Sequence, residues 1–185
     1  MNVDAQNCLL KTLEEPPEYA CIILISSNEN MILNTIKSRC MKLKFKNIEN
    51  KVLYDYAIKN LGYKEISDNL LETFDGSIGK AISLKENQDK YLEIEDIISK
   101  IEKEDIVSVL SNARSIYDKE NIFDILDYLT VSLYSKSKEN IRYLNCLKYI
   151  SQATLRLKAN GNFDMNIDSL LLGIWEELHE KSNRS

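Results

Sequence analysis

Ile122-Phe123-Asp124-Ile125-Leu126-Asp127-Tyr128-Leu129-Thr130-Val131-Ser132-Leu133 decides the architecture of most of this chain. Ile122, Ile125, Leu126, Leu129 and Leu133 recur at the spacing that places them on one face of an α-helix. No glycine or proline interrupts the run, so the pattern predicts a helix over 121–136 that buries this face. Comparable periodicity predicts helices near 91–102, 104–117, 138–159 and 167–181, the second carrying Asp105, Ile106, Val109, Leu110 and Ala113 in register. Five such helices suffice for a bundle. With 5 Gly and 2 Pro in 185 residues, few positions force a helix to stop.

Upstream of this region the helices shorten. Val52, Leu53, Tyr56, Ala57 and Leu61 predict one helix over 51–61; Ser67 or Asp68 is placed to cap a second over 69–74, and Ser77 a third over 78–84. The polar stretch 85–90 reads as a boundary. Further toward the N-terminus the period changes. Asp4 is a candidate cap for an amphipathic helix carrying Ala5, Cys8, Leu9, Thr12 and Leu13, which Pro16 ends by pushing Glu15 out of the helical region. The run 19–25 is continuously apolar and rich in β-branched residues, predicting a strand buried on both faces. The run 41–46 alternates Met41, Leu43 and Phe45 with Lys42, Lys44 and Lys46, predicting an edge strand with one wet face. The expected fold is mostly α, with an α/β remnant over 1–46, a three-helix module over 47–88 and a helical bundle over 89–185.

Composition narrows the function. At 44% hydrophobic residues the chain can bury a core. A formal charge of -5 and a pI near 5.1 argue against a broad electrostatic grip on nucleic acid. Cys8, Cys21, Cys40 and Cys146 form no C-x-x-C pair, which points to reduced thiols in a cytoplasm rather than to a zinc site or a disulfide framework. No apolar run approaches the roughly 18 to 20 residues needed to span a bilayer, and the polar N-terminus lacks a leader pattern. No membrane partner is expected.

Two stretches carry a family resemblance. Ala5-Gln6-Asn7-Cys8-Leu9-Leu10-Lys11-Thr12-Leu13-Glu14-Glu15-Pro16-Pro17 and Ser38-Arg39-Cys40 together resemble the end of the ATPase core in the bacterial DNA polymerase III clamp loaders of the AAA+ superfamily. That resemblance implies an ATPase-core remnant over 1–46 with a sensor-1 position at Ser26 and Ser27, a lid over 47–88 and an oligomerising collar over 89–185. Residues 160–171 are faintly similar to the penultimate turn and last helix of that collar. It also implies that Arg39 acts as an arginine finger on ATP bound by a neighbouring subunit; Ser38 is expected to cap or orient the turn, and Cys40 to pack against the sheet. No G-x-x-x-x-G-K-[ST] loop and no strand ending in Asp-Glu occur in the sequence, so the chain itself is expected to bind neither nucleotide nor magnesium. Because the family-like stretch starts within the core, a fragment is expected, with Met1 internal to a longer parent.

Gly76-Ser77-Ile78-Gly79-Lys80-Ala81 separates the subunit types. The hydrolysing tau/gamma subunits of the family carry an Arg as sensor 2 where Gly79 stands, and Lys80 projects about 100° away around the helix. Glycine offers no side chain to phosphoryl charge, so the segment resembles the non-hydrolysing delta-prime subunits. The implied role is an accessory one, not an enzyme, in loading the sliding clamp on primed DNA alongside tau/gamma and delta. A degenerate tau/gamma fragment, or an unrelated helical scaffold, is the alternative.

The same residues have plainer readings. Arg39 also fits a salt-bridged residue at a helix end, and Ser26 and Ser27 also fit a satisfied strand terminus. Glu14 and Glu15 read as part of a structural helix rather than as an acid/base pair. Lys42, Lys44 and Lys46 fit a solvated edge better than a DNA contact. His179, the sole histidine, reads as a surface residue; Trp175 and Tyr54, Tyr56, Tyr63, Tyr91, Tyr117, Tyr128, Tyr134, Tyr143 and Tyr149 read as core and interface anchors.

Overall fold

The computed structural model describes residues 2–179, and the chain divides into two units at the junction of Lys46 and Asn47. In the first unit α1 runs Val3–Glu14 and α2 Asn34–Lys37, with a 3₁₀ turn Glu29–Met31 ahead of α2. The cap of α1 is Asn2 rather than Asp4: the Asn2 carboxamide oxygen accepts from the Ala5 amide at 2.9 Å, and Asp4 sits in the first turn, where a carboxylate suits the helix dipole. Pro16 ends the helix as expected, with Glu15 at its C-cap.

The two expected strands are the main correction. Residues 20–26 and 41–49 have no regular secondary structure, and no strand occurs among the described residues. Ile23 and Ile25, expected to be buried on both faces, are 78% and 93% exposed, and Phe45 is 89% exposed. A strand is defined by its ladder, and two runs without further partners make a marginal sheet. The runs do line one groove, through Ile22, Leu24, Met41 and Leu43.

The second unit holds α3 (Asn50–Leu61), α4 (Asp68–Thr73), α5 (Ile78–Lys85), α6 (Gln88–Lys100), α7 (Ile106–Asn112), α8 (Ile122–Ser137), α9 (Arg142–Lys158) and α10 (Phe163–His179). Ser67 and Ser77 cap α4 and α5 by accepting from the amides of Leu70 and Lys80, at 3.3 and 3.2 Å. Between α4 and α5 the chain reverses through Asp75 and Gly76, both at positive φ. The Ile48 amide donates to the Gly76 carbonyl at 3.0 Å, and a Cβ on Gly76 would lie 2.8 Å from that same amide nitrogen, so this close approach requires glycine. The 85–90 stretch is a tight connection: Lys85 Nζ donates to the Gly62 carbonyl at 2.9 Å, and Gln88 Nε2 to the Glu65 carbonyl at 3.0 Å.

The stripe that opened the sequence reading is the core of the bundle. Ile125, Leu126, Leu129 and Leu133 are at most 2% exposed, each contributing about 1.5–3 kcal/mol through burial. α8 packs on α4, α6 and α9, and α9 on α10. Glu95 of α6 accepts from Tyr128 of α8 at 2.9 Å and from Asn69 of α4 at 3.2 Å, joining three helices. α7 is shorter than its pattern and gives way to a 3₁₀ turn, Ala113–Ile116, while α10 begins four residues earlier than expected. The expected residues 180–181 of that helix lie outside the described residues.

Tyr63, Tyr91, Tyr128 and Tyr143 are buried, but Tyr54, Tyr56 and Tyr134 are exposed. The last three flank the buried positions Leu53, Ala57 and Leu133 in sequence, which turns them away from the core by about 100° each. Trp175 is half-buried and its indole donates to the Glu104 carbonyl at 2.8 Å. His179 is not a free surface residue: its ring stacks on Trp175 with centroids 4.1 Å apart. Burial pushes the Cys146 thiol up to about 12, so it packs as an apolar group. Among the described residues no helix is long and apolar enough to cross a membrane.

Candidate functional site

Gln6 organises the first unit. It stands three, four and seven residues before Leu9, Leu10 and Leu13, on the inward stripe of α1, and is 2% exposed. Its Nε2 donates to the Met31 carbonyl and its Oε1 accepts from the Leu33 amide, each at 2.9 Å. The segment leading into α2 is thereby fixed to α1 by a buried side chain with both ends of its amide engaged. Ile36, 1% exposed, anchors α2 itself. The sequence reading did not assign Gln6; the available signal was a carboxamide on an otherwise apolar stripe.

α2 carries Ser38 and Arg39 at its C-terminal end. The Ser38 amide donates to the Asn34 carbonyl and the Arg39 amide to the Ile36 carbonyl, both at 3.0 Å, closing the last turn. The Thr35 carbonyl accepts from Ser38 Oγ at 3.0 Å and from Arg39 Nη1 at 2.9 Å, so the guanidinium folds back on its own helix end, where carbonyls lack intrahelical partners. Arg39 Nη2 donates to Glu14 Oε1 at 2.5 Å. The Arg39 side chain is 35% exposed and that of Glu14 50%, which makes this a surface pair contributing about 0–1 kcal/mol. Glu14 therefore has a specific partner that the sequence reading did not foresee.

Cys40 is half-buried and lines the groove shared by the two extended runs, as do Arg39 and Ser26. Ser26 Oγ donates to the Asn28 carbonyl at 3.0 Å and accepts from the Asn28 amide at 3.2 Å, so it stabilises the turn before Glu29–Met31. Ser27 lies beside it, on a second groove with Glu29, Lys37, Lys42 and Lys44. Lys42 pairs with Glu29 and holds that carboxyl below the usual carboxylate range, with Lys37 and Lys44 adding to the effect.

Gly79 belongs to the second unit, in the first turn of α5. A Cβ built there meets only Ser77 Oγ, at 3.6 Å, an ordinary contact. Neither packing nor backbone conformation demands glycine at this position. Lys80 beside it is committed to an ion pair with Asp127 of α8.

Residues 1–49 match the family described as DNA polymerase III, delta subunit. The tau subunit of DNA polymerase III from Bacillus subtilis is 30% identical over 139 residues, 70% of this chain and 24% of that protein. The delta' subunit of the same organism is 32% identical over 92 residues, 48% of this chain and 27% of the relative. The gamma subunit from Buchnera aphidicola subsp. Baizongia pistaciae is 28% identical over 188 residues, covering 95% of this chain and 42% of its own length. The chain thus spans about a quarter to two fifths of the length of these relatives. No solved structure matches it. A helical chain with these matches is similar to the clamp-loader subunits of DNA polymerase III. Both tau/gamma and delta' relatives are found, so the subunit type is a separate question.

Proposed function

We propose that the chain is part of a delta-prime-type clamp-loader subunit, cytoplasmic and non-hydrolysing, that presents Arg39 to ATP and magnesium held by a neighbouring subunit. Gly79 carries the choice of subunit: the surrounding space accepts a side chain, yet the residue offered to phosphoryl charge is one without any. Arg39 lies in the stretch matched by the delta-subunit family, at a helix end, with its guanidinium at the surface. A planar, permanently charged group suits a phosphoryl-transfer transition state whose charge spreads over the γ-oxygens. On this reading the chain performs no catalysis of its own. It contributes to loading the sliding clamp on primer-template DNA through contacts with tau/gamma and delta subunits.

The test is Arg39→Ala in the full-length protein, reconstituted with its partner subunits. Assembly is expected to persist while turnover at the site Arg39 faces falls by roughly 10³ or more, read as lowered DNA-dependent ATPase of the complex. Unchanged ATPase would refute the assignment. The match to the Bacillus subtilis tau subunit over 70% of this chain favours a second reading, a tau-type subunit with a degenerate sensor 2. Calorimetric titration of the full-length protein with Mg-ATP separates the two, since micromolar binding supports the tau-type reading.

A further inference from the structure

We infer that Glu14 is an intramolecular latch on Arg39, a carboxylate that competes with the neighbouring subunit's phosphate for the same guanidinium; the inference rests on the trans role proposed for Arg39. Both ends of the guanidinium are used within the unit. Nη2 donates to Glu14 Oε1 at 2.5 Å, while Nη1 donates to the Thr35 carbonyl at 2.9 Å and approaches Ser38 Oγ at 3.4 Å. A polyphosphate is recognised by the same paired N–H groups, and a carboxylate beside it adds like-charge repulsion. A phosphate that takes Nη2 as one of its paired donors displaces Glu14 from it, so full engagement of the phosphate requires the Nη2 contact to break.

The latch is held in register by a separate, buried element. Gln6 fixes the segment before α2 to α1 through Met31 and Leu33, and Glu14 follows Gln6 on the same helix by roughly 12 Å of rise. The two arms of the latch thus project from elements that are pinned together, while the contact itself is at the surface, with Arg39 35% and Glu14 50% exposed. A weak contact on a rigid frame sets a threshold rather than a block. It biases the arginine inward in the unassembled subunit and yields to a ligand of higher charge.

The experiment uses the full-length protein reconstituted with its partner subunits, with ATPase measured in the presence and absence of primed DNA. Glu14→Gln is expected to raise the DNA-free rate about two- to fivefold, the range that a surface ion pair allows, and to shrink the stimulation by DNA. Glu14→Asp keeps the carboxylate and is expected to stay closer to the unaltered protein. The gain from Glu14→Gln is expected to vanish when Arg39→Ala is present as well, a dependence that a merely structural role for Glu14 does not produce. A rate that falls or stays level on Glu14→Gln, while Arg39→Ala still lowers ATPase, overturns the latch and leaves the trans arginine standing. A gain that persists in the Arg39→Ala background also overturns it. An Arg39→Ala protein with unaltered ATPase removes the trans arginine, and the latch with it.

Discussion

Replacing Gln6 with leucine tests whether the first unit is organised by a buried hydrogen-bonded clamp. The substitution removes the bond to the Met31 carbonyl and the bond from the Leu33 amide, both 2.9 Å, without changing the apolar character of the stripe. Each neutral hydrogen bond contributes about 1 kcal/mol, and a buried group left unpaired costs about 1–3 kcal/mol. Met31 is 67% exposed, which gives its carbonyl access to water, whereas Leu33 is half-buried. The local cost is therefore about 2–4 kcal/mol, most of it at the Leu33 amide. Hydrogen exchange measured by NMR reads that amide directly: its protection is expected to fall by roughly 30- to 1,000-fold, since each tenfold corresponds to about 1.4 kcal/mol. Gln6→Glu keeps the acceptor for Leu33 and loses the donor to Met31, so a smaller loss is expected. Unchanged Leu33 exchange in a folded Gln6→Leu protein would mean that the segment before α2 is held by something other than this side chain.

Two glycines in helices are expected to respond oppositely to alanine in urea unfolding. Gly79→Ala should stabilise by about 0.5–1 kcal/mol, because the new Cβ meets only Ser77 Oγ at 3.6 Å. Gly173→Ala should destabilise by about 1–2 kcal/mol, because its Cβ would lie 2.6 Å from Tyr149 Cε1 and crowd the α9–α10 contact; stabilisation there would contradict the packing described. Asp118, hydrogen-bonded to Lys90 and Asn121, has its carboxyl lowered to about 2. Its stabilisation is complete above the unfolded value near 3.8 and is lost as the pH falls through the folded value of about 2. Since Lys90 is 39% exposed, the contribution is about 1 kcal/mol. Asp118→Asn should therefore be less stable than the unaltered protein at pH 7 by that amount, with the difference closing toward pH 2 in urea titrations.

Residue types and spacing were enough for most elements set by local contacts, the cap of α1 at Asn2 rather than Asp4 being an exception. The helical periodicity at Ile122, Ile125, Leu126, Leu129 and Leu133, the caps at Ser67 and Ser77, and the stop at Pro16 are set by residues a few positions apart, and the structure carries each of them. The runs 19–25 and 41–46 form no strands for the complementary reason. Apolar composition and alternation report what a segment is able to bury, whereas a strand exists only where another backbone supplies its hydrogen bonds. Tyr54, Tyr56 and Tyr134 show the same limit, since an aromatic side chain is an anchor only on the face that the neighbouring helices cover.

The candidate site divides in the same way. Ser38-Arg39-Cys40 and Gly79 were recognisable from sequence, because a motif is a matter of residue identity and order. The long-range partner of Arg39 was not, because Glu14 lies 25 residues away, on α1, which Gln6 ties to the segment before α2. By itself the sequence determined a mostly helical chain, most of its caps and stops, its clamp-loader resemblance and the Ser38-Arg39-Cys40 motif. Only the tertiary structure decided which side chains hold that arginine, because hydrogen bonds and ion pairs between distant residues depend on where packing places two helices.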